Sequence, residues 1–283
     1  MASLPPASVA VDLSRLPKPT VVETLPFETI RAEALADFQV RWPEYGALLE
    51  SDPAVKLVEV FAYRELLLRQ NFNERSVSML LPFARGADLE NLAAYYGVTR
   101  LDGEDDDALL RRVLLAPDSF SVAGPEAAYI FHALTADPTL SDASATMPAP
   151  GEVLVSLLSA SGAGTASADQ IAAVTAVVNA DGIRPLTDEV TVASATIVPY
   201  AIEATLQLAY GPDTAIVLAA ANAALAAYLA KRRRIGRLVS ASGIAGALQV
   251  DGVETVQLDS PPADIAISRI QAAHPTSITI EVA

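Results

Sequence analysis

The sequence predicts an α+β protein in which an N-terminal helical region with one long bundle-type helix is followed by two small α/β sandwich-like domains. Apolar residues between positions 57 and 80 recur every three or four residues, which is the spacing of one helix face. From about position 120 onward, short β-like runs alternate with helical patterns. The chain has 283 residues, enough for about two domains of ordinary size.

Changes of pattern along the chain predict four segments. They are an extended arm over residues 1–24, a helical region over 25–117, a first α/β domain over 118–195 and a second α/β domain over 196–283. Prolines interrupt the arm and it carries only a weak pattern, so we expect it to order against a partner. The arm also lacks the basic start and apolar core of a signal peptide, which predicts a protein of a bacterial-type cytoplasm.

The composition argues against several classes of protein. Acidic residues number 34 and basic residues 19, and the resulting net charge of −15 repels a phosphate backbone. We therefore expect no direct binding of nucleic acid. The chain contains no cysteine, which excludes disulfides, thiolate nucleophiles and cysteine-ligated metal sites.

The sequence shows no motif of a catalytic or cofactor site. The glycine-rich run at 162–167 follows a predicted strand but lacks the third glycine of a dinucleotide-binding turn. The two histidines, His132 and His274, stand in no ligand or triad pattern. We predict a protein without cofactor, metal or enzymatic activity. An enzyme with an unrecognised carboxylate pair stays the alternative, because counting acids neither nominates nor excludes such a pair.

The helical region begins with a predicted helix from Pro26 to Trp42. A second helix starts at Asp52-Pro53, where aspartate suits the N-cap and proline suits the first helical position. Its apolar stripe continues for about six turns, and Pro82 ends it. This long amphipathic helix is the strongest pattern in the chain.

Three polar residues, Arg64, Asn71 and Arg75, fall on the apolar stripe of the long helix. In one interpretation they lie at the edge of the stripe and reach water through their side chains. In the other, the helix belongs to a bundle shared between chains, where polar residues in the seam fix register and partner choice. The interface predicted from the second interpretation consists of Phe61, Arg64, Leu68, Asn71, Phe72 and Arg75.

A short helix from Asp88 to Tyr96 precedes an acidic run at 102–107. The run lacks the ligand spacing and the downstream glutamate of an EF-hand calcium loop. We interpret it as a solvated turn whose last acids cap a helix at 108–115.

The rest of the chain is predicted as two α/β units of similar size. The first contains a helix ending at Ala136, strands at 139–146 and 153–159, a helix at 167–179 and a strand at 190–194. The second contains a strand at 198–210, helices at 213–233 and 240–248, and strands at 253–258 and 277–282. The alanine-rich stretch at 215–230 is short for a membrane span and contains Asn222, so we expect a buried helix and no membrane contact.

Charge is distributed unevenly along the chain. Residues 113–230 carry eleven acids and one cation, Arg184. A basic knot follows, made of Lys231, Arg232, Arg233, Arg234 and Arg237. These cations suit the negative C-terminal pole of the preceding helix. They also predict a contact with an acidic face of another subunit, and the two roles can coexist.

Several stretches resemble the baseplate J-like proteins of contractile phage tails. They are SDPAVKLVEVFAYRE at 51–65, LLPFARGADLENL at 80–92, SVAGP at 121–125, PGEV at 150–153, RPLTD at 184–188 and GVETV at 252–256. The resemblance covers residues 25–283 in order.

The resemblance implies a structural wedge subunit that pairs within each wedge and joins neighbouring wedges into a ring around the central hub, without an active site. It implies as partners a second copy, the sheath-initiating wedge protein and the fibre-linking wedge protein. The implied location is the virion tail baseplate, after assembly in the host bacterial cytoplasm. The equivalent subunit of a tailocin or another contractile injection system is the close alternative.

Overall fold

The computed structural model describes residues 16–44, 49–121, 123–211 and 213–283. These residues fall into two compact units, 16–95 and 96–283. Residues 1–15 of the predicted arm lie outside the described residues. The division of the chain into four segments stays a prediction.

The first unit contains three helices: α1 (Phe27–Arg41), α2 (Pro53–Ser78) and α3 (Gly86–Tyr95). The long predicted helix is α2, and it begins as expected. The side chain of Asp52 accepts a hydrogen bond from the amide of Ala54 at 2.9 Å, and Pro53 occupies the first helical position.

One face of α2 is covered by α1. Ile30 of α1 and Val55 and Ala62 of α2 are buried. At the edge of this contact, the guanidinium of Arg31 donates to the carboxylate of Glu59 at 3.0 Å. The pairing of the two helices therefore uses only part of the circumference of α2.

The segment ahead of α1 is held against α2 by two side chains, those of Asn73 and Arg69. The side-chain Oδ1 of Asn73 accepts hydrogen bonds from the backbone amides of Val21 and Val22 at 3.0 and 2.8 Å. Its side-chain Nδ2 donates to the backbone carbonyl of Val22 at 2.8 Å. Arg69 donates to the carbonyl of Glu23 at 3.3 Å. The described part of the predicted arm thus orders against its own chain.

The second unit begins with α4 (Asp106–Ser119), directly after the acidic run. Asp105 caps α4 by accepting a hydrogen bond from the amide of Ala108 at 2.8 Å, as predicted. The prediction of a solvated turn is wrong for Glu104. Its carboxylate is buried and accepts two hydrogen bonds from Arg112, at 2.6 Å from Nε and 2.7 Å from Nη2, because α4 turns that guanidinium inward.

The first sheet and its helices comprise α5 (Glu126–Ala136), β1 (Leu140–Thr146), β2 (Glu152–Ser159), α6 (Ala168–Val178) and β3 (Glu189–Ser194). The strand order is β1-β2-β3, with β1 antiparallel and β3 parallel to the central strand. A parallel pair needs a crossover connection, which α6 provides. The buried core of this part includes Ile130, Leu134, Val155, Leu157 and Val174.

The second sheet and its helices comprise β4 (Thr196–Leu208), α7 (Thr214–Arg232), α8 (Ala241–Leu248), β5 (Val253–Ser260) and β6 (Gln271–Val282). The order is β5-β4-β6, again with one antiparallel and one parallel neighbour of the central strand. β6 begins well before the predicted start at Ser277 and includes Pro275. An edge strand tolerates this proline, and the pairing register shifts beside it, at Tyr200 and Ala201.

The alanine-rich helix α7 packs through a narrow stripe. Val217, Ala221 and Leu225 enter the core of the second sheet, whereas only 17% of the most apolar stretch of α7 is buried. The expectation of a buried helix therefore holds for one stripe only. By length and composition α7 could cross a membrane, a test that core helices of soluble proteins also pass.

The architecture is the predicted one. Helices come first, and two small mixed sheets with their own helices follow, which defines an α+β fold.

Candidate assembly interfaces

The interface residues predicted on α2 share one face of the helix, and all are exposed. They are Phe61, Arg64, Leu68, Asn71, Phe72 and Arg75. Leu57, Val60 and Leu67 lie beside them and are also exposed. We call these nine residues the apolar face of α2. Leu68, at its centre, is 70% exposed.

The opposite face of α2 is occupied. Val55 and Ala62 are buried, and Arg69 and Asn73 hold the segment ahead of α1. A helix that places apolar residues on both a covered and an exposed side has more apolar surface than its own unit buries. Contiguous exposed apolar surface of this kind is typical of protein–protein contact sites, and the face is therefore a candidate interface.

Ion pairs flank the apolar face of α2. Lys56 donates to Glu59 at 2.9 Å, and Arg31 donates to the same carboxylate. The hydrogen bond from Lys56 and the one from Arg31 lower the pKa of Glu59. Further along the helix, Arg69 pairs with Glu65 at 2.7 Å. These charges are satisfied within the chain, beside the face rather than on it.

The cations of the basic knot have different surroundings. The guanidinium of Arg232 lies over the ring of Tyr228, 5.3 Å from its centre. Arg233 donates from Nη2 to the carbonyl of Gly162 at 2.7 Å. These two side chains are therefore engaged by their own chain.

Arg234 is half-buried beside Arg111 and Asp142. Burial and the neighbouring charge of Arg111 lower the pKa of Arg234, and Asp142 opposes this shift. Asp142 is itself buried, pairs with Arg111 and accepts a hydrogen bond from the amide of Ile235 at 2.8 Å. This pairing was not predicted from the sequence. Its only signal was an acid inside a predicted strand, and its partners lie 31 and 93 positions away.

Lys231 and Arg237 are the exposed members of the knot. Lys231 and Arg232 also fall in the last turn of α7, where a cation interacts favourably with the helix dipole. Lys231 therefore combines exposure with the helix-terminal position, whereas Arg237 is exposed beyond the end of α7.

The two histidines and Tyr129 belong to neither of these sets of residues. His132 of α5 is half-buried against the ring of Phe131, and burial lowers its pKa. His274 lies in β6, in the other sheet. Burial and a 2.8 Å hydrogen bond donated to Asp188 raise the pKa of Tyr129. In the part of the chain that the structure describes, no group of three or more histidines and carboxylates could hold a metal ion.

Three domains of the Baseplate J-like family match the chain. The N-terminal domain matches residues 50–105, the central domain 121–194 and the C-terminal domain 200–281. Because these matches cover well over half of its length, the chain belongs to the Baseplate J-like family. The resemblance seen in the sequence is confirmed.

Baseplate protein J of Escherichia phage P2 is 40% identical to the chain over 292 residues, which cover 95% of this chain and 97% of that protein. The chain is a structural protein of a bacteriophage tail baseplate, and its family is not an enzyme family. A chain in the 6-fold symmetrised cryo-EM structure of the anti-feeding prophage baseplate is 14% identical, with a TM-score of 0.42. That match covers 61% of this chain and 42% of the other. A likeness this distant carries no argument here.

Proposed function

We propose that two copies of the chain dimerise through the apolar face of α2 within a baseplate wedge, and that further contacts join neighbouring wedges into a ring around the hub. The observation that carries the proposal is the exposure of this face on a helix whose other side is covered. The sheath-initiating and fibre-linking wedge proteins are the other proposed partners. Assembly takes place in the host cytoplasm.

The spacing of the exposed residues favours a helical partner. Positions 57, 61, 64, 68, 71 and 75 are separated alternately by four and three residues. This alternation is the heptad spacing that keeps one seam of a helix facing another helix. The seam extends along about 27 Å of α2, at 1.5 Å per residue. A helix of a second copy can cover it along its whole length.

The polar residues of the seam make the contact selective. Arg64, Asn71 and Arg75 share the seam with three apolar side chains and are exposed in the single chain. Polar groups at seam positions reduce the strength of a coiled coil, but they disfavour registers and partners that leave them unpaired. Such a seam suits ordered assembly of a wedge better than indiscriminate association of apolar surfaces.

The contact between neighbouring wedges is electrostatic in this proposal. Lys231 and Arg237 are exposed, and residues 113–230 carry eleven acids and one cation. Cations of one copy and the acidic segment of the next provide complementary charge, which accelerates encounter and weakens as salt increases.

The dimer contact is tested by light scattering after size exclusion on the full chain. Leu68→Glu combined with Phe72→Glu places two carboxylates on the apolar face of α2. Because central apolar contacts contribute about 2 kcal/mol or more each, the dimer dissociation constant should rise at least about thirtyfold. Ile216→Glu on α7 is the matched control, since Ile216 is also 70% exposed on a helix. It should leave the dimer intact.

Two results would contradict the dimer. One is a wild-type chain that remains monomeric at about 100 μM, where a micromolar dimer would form, both alone and with the wedge partners. The other is an equal effect of the seam variant and the Ile216→Glu control.

A further inference from the structure

The chain crosses from the first sheet of the second unit to the other sheet at a single residue, Ala195. The amide of Ala195 donates to the carbonyl of Leu157 in β2 at 2.8 Å, whereas the amide of Thr196 donates to the carbonyl of Ile270, next to β6, at 3.0 Å. The chain therefore leaves one sheet and enters the other within one peptide bond. Among the described residues, the two buried apolar clusters share no member.

Two loops from the second sheet lie together and reach β1 of the first. One loop follows α7 and the other precedes β6, and the amide of Gly236 donates to the carbonyl of Gln271 at 2.9 Å between them. From the first loop, the amide of Ile235 donates to Asp142 of β1 at 2.8 Å. The paired loops thus act as one surface against β1.

The second loop contacts the same strand through Arg269. The hydroxyl of Ser144, two residues after Asp142 and on the same side of β1, donates to the carbonyl of Arg269 at 2.7 Å. The guanidinium of Arg269 pairs with Glu126 of α5 and donates to the carbonyl of Ala145 at 3.4 Å. The contacts made by this loop are again polar.

We propose that these contacts form a polar latch, made of Asp142, Ser144, Ile235 and Arg269, that fixes the angle between the two sheets. When it opens, the sheets turn about Ala195 as separate bodies. Each sheet keeps its own core in this motion, so opening exchanges hydrogen bonds for water. Beside the latch, Arg233 donates to the carbonyl of Gly162 at 2.7 Å, which is a further polar contact between the two sheets.

The latch is tested by distance measurement between spin labels on the full chain. The sequence contains no cysteine, so labels attach only at introduced sites. One label replaces exposed Ala180 near the first sheet and the other replaces exposed Glu254 on β5. In the wild-type background we expect one narrow distance. Asp142→Asn with Arg269→Gln should add a second distance in about ten per cent or more of the molecules.

Two controls accompany the measurement. Asp181→Asn with Lys231→Gln makes the same change of charge at exposed positions and should leave one distance. Labels at Ala180 and Thr191, both near the first sheet, should report one distance in every background. Because Asp142 is buried, Arg269→Gln alone is also measured. Arg269 is half-exposed, so we expect this variant to keep its fold.

A second distance in Arg269→Gln, with circular dichroism unchanged, supports the latch. A single unchanged distance in Arg269→Gln and in the double variant overturns it. So does unfolding of the double variant combined with an unchanged distance in Arg269→Gln, because Asp142 would then stabilise the fold without controlling the angle.

Discussion

Arginines in two regions of the molecule have opposite surroundings. Arg64 and Arg75 on α2 are exposed among apolar side chains. After α7, Arg233 donates to the carbonyl of Gly162 and Arg234 is half-buried. The first pair lies on a helix face that its unit leaves open. The second pair lies where two sheets meet. A cation is available to a partner only where the fold has not already supplied an acceptor.

The largest expected effect is a difference in stability loss between replacing a buried, ion-paired arginine and replacing an exposed one. Arg112 is 3% exposed and its partner Glu104 is 4% exposed, so Arg112→Met leaves a buried carboxylate unpaired. We expect a loss of about 3–5 kcal/mol in the free energy of unfolding of the unit 96–283. Arg75→Met on α2 should change stability by less than about 0.5 kcal/mol. Urea unfolding followed by circular dichroism measures both, and equal losses would refute the distinction.

A smaller effect distinguishes members of the basic knot. Arg233→Ala should lower stability by about 1 kcal/mol, because it removes a charged donor to the carbonyl of Gly162. The buried Nε of Arg233 has no hydrogen-bond partner among the described residues, so only this one hydrogen bond is lost. Lys231→Glu with Arg237→Glu should lower stability by only about 0.5 kcal/mol, because Lys231 lies at the negative end of the helix dipole of α7. At low ionic strength this exchange should weaken contacts between copies by up to about fivefold per charge. Unfolding curves and light scattering at two salt concentrations test both statements, and salt-independent assembly would exclude the exposed cations.

The smallest expected effect concerns His132. Burial lowers its pKa in the folded chain, so the unfolded chain binds a proton first as the pH falls. Its contribution is fully present above about pH 6.5, the ordinary histidine value, and is lost as the pH falls through the lower folded pKa. His132→Gln should reduce the difference between unfolding free energies at pH 7.5 and 5.5. An unchanged difference would show that carboxylates alone set the acid sensitivity.

Local patterns were sufficient for most elements. The start of α2 depends on Asp52 and Pro53, and the capping role of Asp105 depends on the helix that follows it, so both were predictable from adjacent residues. The start of β6 was not predictable from adjacent residues. Pro275 argues against a strand in the sequence, and only the position of β6 at the edge of its sheet makes that proline acceptable.

The candidate surfaces also combine features that were predictable from the sequence with features that were not. The residues of the apolar face of α2 were predictable because a helix repeats its faces every three to four residues, regardless of what lies elsewhere. The internal engagement of Arg233 was not, because its acceptor at Gly162 is 71 positions away. Likewise, nothing in the sequence distinguishes Glu104 from the other acids of its run, and only the fold brings Arg112 beside it.

The sequence by itself determined the order of the helices and strands, the two faces of α2 and the family to which the chain belongs, because these depend on short-range periodicity, capping and matching motifs. Only the tertiary structure decided which charged side chains are paired inside the molecule and which remain exposed to partners. That decision depends on residues far apart in the chain that folding brings within hydrogen-bonding distance, as Asp142 and Ile235 are across the two sheets.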